Sequence, residues 1–144
     1  MIRGIPKHLL FLALAGHGHV NPTLPLVEEF VRRGHRVDYA TAAEHSGAVI
    51  GAGARWVALP PLEPFRPPPE VGPEIIARWL RHFFIAMRAT YPVLHERCVT
   101  ERPDVVCYDT TNWPAGSWPG SWASRLCSAS RTSRRTRRTR WTRS

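Results

Sequence analysis

Residues 8–15, HLLFLALA, run apolar without interruption and lead into a turn bearing two histidines, two glycines and a proline, GHGHVNP. An amphipathic segment follows at once. This order constrains the fold more than any other feature of the chain. An unbroken apolar run of that length is expected of a parallel strand covered on both faces. Residues 16–21 are expected to form the turn. Pro22 suits the first turn of a helix, where its missing N–H removes no bond. Leu24, Val27, Phe30 and Val31 then recur at helical spacing, while Glu28 and Glu29 face water. Arg32 and Arg33 complement the negative end of the helix dipole, and Gly34 is the expected residue just past the helix end.

The rest of the chain repeats the alternation. HRVDYAT, 35–41, reads as a second strand; 44–52 as a short helix closed by glycines; RWVALP, 55–60, as a third strand. Strand, helix, strand, helix, strand predicts an α/β domain with a parallel sheet and right-handed crossovers. Residues 60–73 hold seven prolines, which excludes a helix or a central strand there and predicts a loop. Ile76, Trp79, Leu80, Phe83, Met87, Tyr91, Leu94 and Cys98 step by three or four, predicting a long amphipathic helix with a bend at Pro92. DVVCY, 104–108, is a fourth strand ending at Asp109.

The formal net charge of +9 would normally point to nucleic acid or an anionic surface. Its distribution removes that reading from most of the chain: residues 1–114 carry a net +1 and residues 115–144 a net +8. Any partner argument from charge therefore concerns the tail. The three cysteines, Cys98, Cys107 and Cys127, form no CxxC pair, which fits a reducing, cytoplasmic setting. No stretch approaches the ~20 apolar residues of a membrane span. Arg3 and Lys7 precede LLFLALAG in the manner of a secretion signal, but the uninterrupted continuation into a folded pattern favours a first strand.

In open α/β sheets ligands bind outside the carboxyl ends of the strands. The histidine turn follows strand one and Asp109 closes strand four, so the two can meet on one rim. His19 on such a turn can present its ring to a cleft, and an unperturbed pKa near ~6.5 suits a general base. A base of this kind needs an orienting acceptor on its other ring nitrogen, usually a carboxylate. Asp109 is the acid placed to serve. Three other readings stand beside this dyad: a histidine that only caps the turn, a zinc site through His17 and His19 that lacks a third ligand at recognisable spacing, and a nucleotide-binding turn that lacks the third glycine of GxGxxG.

LFLALAGHGHVNPTLPLVEEFVRRGHRVDYAT, together with GARWVALP and PDVVCYDTTNWPA, resembles the N-terminal part of the bacterial macrolide-type UDP-glycosyltransferases, over about residues 6–115. The resemblance implies the Rossmann-like N-terminal half of a GT-B fold in residues 1–115. It implies that His19 removes a proton from an acceptor hydroxyl and that Asp109 balances the resulting imidazolium. The oxygen then attacks the anomeric carbon of a UDP-sugar, inverts it and expels the nucleotide diphosphate, with no metal and no cofactor. The implied acceptor is a hydroxylated apolar molecule of macrolide or polyketide type. Its expected contacts are Gly18, Asn21, Trp79, Phe83, Met87, Thr110, Asn112 and Trp113, although the three helix residues also read as plain core.

The chain departs from that family in two respects. No segment supplies the second domain that holds the nucleotide sugar, so the chain is expected to be incomplete and inactive alone; a separately encoded donor domain is a possible partner. Residues 116–144 also change character, with seven serines, eight arginines, four threonines and three tryptophans and no apolar period. Taken literally, they are a disordered basic tail that could bind nucleic acid by phosphate contacts and Trp stacking. This is the alternative function, as a small basic nucleic-acid-binding protein. A second reading is out-of-frame translation. Permitted GC-rich codons with one base restored after Ala115 read PARVLARKLGLPAVQ, a helix, a glycine stop and the next buried strand, and the single Trp codon at 118 and 122 fits. On that expectation the sheet lacks its fifth strand, keeps an open edge and is poorly stable.

Overall fold

The computed structural model describes residues 5–13, 17–66, 68–70, 72–109 and 126–129, with only the backbone of His17, Asp109 and Leu126–Ala129. The described residues form β1 (His8–Leu12), a single helical turn α1 (His17–Val20), a 3-10 turn (Asn21–Thr23) and α2 (Leu24–Arg32). Next come β2 (Arg36–Thr41), a 3-10 turn (Ala43–His45), α3 (Ser46–Gly51) and β3 (Arg55–Ala58). The long helix α4 (Pro73–Glu101), β4 (Val105–Asp109) and β5 (Leu126–Ala129) complete the order.

All pairings are parallel, in the order β3-β2-β1-β4-β5. The α/β class and the parallel sheet expected from the sequence are therefore observed. Two expectations are corrected. His17–Val20 is a helical turn rather than an irregular one, because Pro22 and Pro25 hold the following backbone in helical φ and the chain winds continuously into α2. The tail expected to be wholly disordered contributes Leu126–Ala129 as a fifth strand, in register with Val106–Asp109. Ladder bonds use backbone groups, so four residues can join an edge whatever surrounds them in sequence. The rest of 116–144 lies outside the described residues.

Strand alternation sorts the core into two layers. Leu9, Phe11, Val37, Tyr39 and Cys107 meet Val20, Val27 and Val49 from the helices joining β1 to β2 and β2 to β3. Leu10, Leu12, Ala40, Val57 and Val106 meet Leu94 and Cys98 of α4 on the opposite face. Each of Leu9–Leu12 is at most 5% exposed, and burying such a side chain contributes about 2 kcal/mol. The Phe11 and Tyr39 rings, opposite each other in register, stack at 5.7 Å. Pro92 lies inside α4, which is one helix throughout.

At the amino ends of the strands a buried carboxylate fixes α4 to the sheet. Asp38 has no exposed surface and faces the α4 side. Arg55 donates to both of its oxygens, at 2.9 and 2.7 Å, His8 Nε2 stands 3.1 Å away and Arg97 of α4 donates at 3.4 Å. Glu101 of α4 in turn binds Arg36 at 2.6 Å and Arg55 at 3.2 Å. Burial pushes the Asp38 carboxyl up, but Arg55 and His8 together outweigh it and hold the group below the usual carboxylate range. Beside this cluster, Asp104 joins the start of β4 to β1: its carboxylate accepts from His8 N at 2.9 Å and its own N–H donates to the His8 carbonyl at 2.8 Å.

Two glycines are required by their backbone. Gly34 (φ 86°) and Gly53 (φ 84°) end α2 and α3 in the left-handed region, and a Cβ at Gly53 would also stand 3.0 Å from Val31 Cγ1. Gly53→Ala is expected to cost about 2 kcal/mol and Gly34→Ala, in open space, about 1, measured as shifts in urea midpoint. Asp38→Asn should cost about 3 kcal/mol at pH 7, since it leaves the guanidinium groups without their buried counter-charge. A depressed carboxyl stabilises the fold above its unfolded value, near ~3.9, and that stability is lost as pH falls through the lower folded value. The acid limb of the stability profile should therefore flatten in the variant. An unchanged midpoint and acid limb would show that the cluster is only a solvated face.

Candidate active site

The sheet order reverses between β1 and β4. The chain goes from β1 outward to β2 and β3 on one side, then returns through α4 to place β4 on the other. In open α/β sheets the crevice at such a reversal is where ligands bind. The two segments that flank it at the carboxyl ends are α1, which carries His19, and the end of β4, which is Asp109. Leu12 pairs with Tyr108, so the backbone of Asp109 sits one residue beyond the last rung of that pair. His19 and Asp109 are thus brought to the same rim. The Asp109 side chain, and Thr110, Asn112 and Trp113, lie outside the described residues.

His19 is exposed and lines a cavity of about 670 Å³. One wall is the stretch that follows β2, Ala42 to Glu44. A second is the proline-rich loop after β3, from Leu59 to Phe65. The third is α4, through Trp79, His82, Phe83 and Ala86. Trp79 and Phe83 lie one turn apart with ring centroids at 4.8 Å, and Phe65 packs on His82 at 5.6 Å. Two carboxyl-end loops and one helix therefore converge on the histidine, and the surface they offer is predominantly apolar and aromatic. No group of three or more metal-ligating side chains occurs among the described residues; the His17 side chain, part of the zinc reading, lies outside them.

The histidine turn is held from below. Val20 is fully buried. The Thr23 hydroxyl donates to the Val20 carbonyl at 2.8 Å, which uses its single proton, so the Tyr39 hydroxyl donates to Thr23 Oγ1 at 2.6 Å. Tyr39 belongs to β2 and is itself buried against Phe11. A core strand thus fixes the turn that carries His19.

Of the acceptor contacts expected from sequence, Trp79 and Phe83 line the cavity with His19. Gly18 and Asn21 are exposed on the same turn but do not line it. Met87 is buried in the core and does not line it either, whereas its neighbour Ala86 does. Glu44, Glu63, Phe65 and His82 were not expected. The loops bearing the first three follow the carboxyl ends of β2 and β3, and that rule alone would have marked them.

Sequence and fold together relate the chain to the macrolide-type antibiotic glycosyltransferases, and its sheet corresponds to the N-terminal half of the GT-B fold. It is 34% identical over 114 residues to the oleandomycin glycosyltransferase of Streptomyces antibioticus, covering 76% of this chain and 26% of that enzyme. It is 35% identical over 128 residues to the demethyllactenocin mycarosyltransferase of Streptomyces fradiae, covering 80% and 27%. Among solved structures, CalG4, the calicheamicin glycosyltransferase, superposes with a TM-score of 0.67 at 33% identity, covering 78% of this chain and 29% of that one. The chain thus spans about a quarter of the length of these relatives. No protein-family profile matches it. Among the described residues no helix is long and apolar enough to cross a membrane.

Tyr39→Phe should cost about 1 kcal/mol and speed amide exchange at Val20–Thr23 relative to β1. Equal protection of that turn in both proteins would show that the hydroxyl pair does not hold it.

Proposed function

We propose that this chain supplies the acceptor-binding part of an inverting glycosyltransferase. The observation that carries the reading is the position of His19: on the wall of an apolar cavity, at the strand ends where the sheet order reverses, on the rim that Asp109 also reaches. A hydroxylated apolar acceptor of macrolide or polyketide type occupies the cavity, its body against Trp79 and Phe83 and one hydroxyl toward His19. The imidazole takes the hydroxyl proton as the oxygen bonds to the anomeric carbon of a UDP-sugar. The bond from that carbon to the diphosphate breaks, and the nucleotide leaves with the electron pair. Asp109 balances the imidazolium, the role of the third member in triad chemistry. The diphosphate is held by residues outside these 144, on the same polypeptide or on a separate one, because charge developing on the leaving group needs preorganised donors.

Two experiments test this. The purified 144-residue chain should transfer no sugar from UDP- or dTDP-sugars to phenolic or macrolide acceptors, followed by mass spectrometry. A chimera in which residues 6–115 replace the corresponding N-terminal region of the Streptomyces antibioticus enzyme should transfer sugar, and His19→Ala in it should lower kcat by about 10²–10⁴. A chimera whose rate is indifferent to His19 would remove the base from the mechanism.

We further infer that residues 116–144 are translated out of frame. The curated similarity reaches 76–80% of the chain, and an arginine-, serine- and threonine-rich composition without apolar period follows Ala115. Independent sequencing of the gene from the Ala115 codon onward tests it: an uninterrupted frame with no lost base ends the inference. The nucleic-acid reading then becomes the one to pursue, through salt-dependent binding that disappears on deleting 116–144.

A further inference from the structure

The N-terminal half of α4 reaches beyond the cover that the sheet provides. The first buried side chains of the helix are Ala86 and Met87, and from Pro73 to Ile85 none is buried. Yet this half is rich in large apolar residues. Ile76, Leu80 and Phe84 step by four and Tyr91 follows seven residues on, so all four share one face, within about 80° of arc. They are 63%, 46%, 51% and 41% exposed. Single exposed apolar residues need no explanation, but a contiguous stripe of them marks an interaction surface.

The charge beside the stripe gives the chemistry of what covers it. Arg81 and Arg88 stand together on one flank, about 90° around the helix from the centre of the stripe. Arg78 is exposed further around. Between Glu74 and Glu96 the helix carries these three arginines and no acidic residue. A second copy of the chain laid on the stripe would bring its own Arg81 and Arg88 to the seam, with no carboxylate in that stretch to meet them. An apolar stripe edged by arginine suits a lipid interface instead: the apolar side chains enter below the headgroups, and the guanidinium groups extend up to anionic phosphates. Tyr91, at the end of the stripe, has the amphipathic ring that favours the headgroup level. No described helix is long and apolar enough to cross a membrane, so α4 would lie on the surface rather than span it.

We propose that Ile76, Leu80, Phe84 and Tyr91, with Arg81 and Arg88 beside them, dock the chain on an anionic lipid surface. Trp79 and Phe83 sit on the same half of the helix, so docking brings that wall of the His19 cavity within one helix diameter, ~10 Å, of the lipid.

The test uses the full 144-residue chain at pH 7. Vesicles are of phosphatidylcholine alone or of an equal mixture of phosphatidylcholine and phosphatidylglycerol, and binding is read by co-sedimentation. Residues 115–144 carry a net +8 and can hold the chain on anionic vesicles without the helix, so the variants decide; they leave the tail and the cavity residues untouched. Wild type should prefer the mixed vesicles by about tenfold or more. The stripe variant Ile76→Asn, Leu80→Asn, Phe84→Asn and the flank variant Arg81→Gln, Arg88→Gln should each weaken that binding about tenfold, with circular dichroism confirming that both fold. Amide exchange over residues 76–85 should slow on the mixed vesicles in wild type and not in the stripe variant. Variants that bind as wild type does show that the tail alone is responsible and overturn the proposal. So does a chain that sediments as a dimer without lipid and as a monomer in the stripe variant, which makes the face a contact between copies. Binding that the isolated chain shows and the chimera lacks assigns the face to the remainder of a longer polypeptide and overturns the proposal as well.

Discussion

Pairing of β1 along both edges, to β2 on one side and β4 on the other, is the constraint on which the remaining structure depends. A strand with neighbours on both edges and helices on both faces has no solvent side, so Leu9–Leu12 are apolar at every position, and His8 at its start meets the buried Asp38. The alternation of its side chains then assigns the helices. Leu9 and Phe11 require cover from α2 and α3, and Leu10 and Leu12 require it from α4. Because these two sets come from opposite faces, the chain must cross the sheet between β3 and β4, and that crossing creates the reversal beside which His19 stands. The site's location is thus a consequence of where β1 buries its side chains.

The long helix connects the two ends of the sheet. Its C-terminal half carries Arg97 and Glu101 into the Asp38 cluster at the amino ends of the strands, and its N-terminal half carries Trp79, His82 and Phe83 to the cavity at the carboxyl ends. A helix of 29 residues is about 43 Å long, much more than the sheet needs for cover. The length serves to reach both. Arg102, with φ 45°, ends it in a left-handed conformation, and Pro103 follows to turn the chain into β4. The Asp38 cluster therefore sets the azimuth of a helix whose far end forms one wall of the cavity.

Much of this was legible in the sequence, for reasons that differ by element. The continuous run of β1, the period of α2 and Gly34 at its end are local signals, and each was placed within a few residues. His19 was legible because a turn after a buried parallel strand has one address in the fold. Asp38 was not singled out, although it interrupts the inward-facing positions of β2: its partners Arg55 and Arg97 are 17 and 59 residues away, and only the folded sheet brings them together. His82 shares that difficulty, whereas Glu44 and Glu63 stand on loops that the strand-end rule would have marked. Met87 shows the limit of periodicity from the other direction, since a step of four along an apolar stripe cannot separate a residue facing the core from one facing a cavity beside it.

The fifth strand bears on the tail in a way that composition alone does not. Leu126–Ala129 completes a ladder on the edge of β4, where the open sheet would otherwise invite pairing with another chain. Read with one base restored after Ala115, residues 126–128 become AVQ, the end of the segment LPAVQ that a family member would be expected to bury. Backbone pairing responds to extended geometry and to an available edge, and so tolerates either sequence. Side-chain burial does not: a strand next to β4 in a doubly covered sheet must present apolar residues to both layers. The topology therefore asks for an apolar fifth strand at this point in the chain, and the pairing of Leu126–Ala129 with β4 rests on backbone groups.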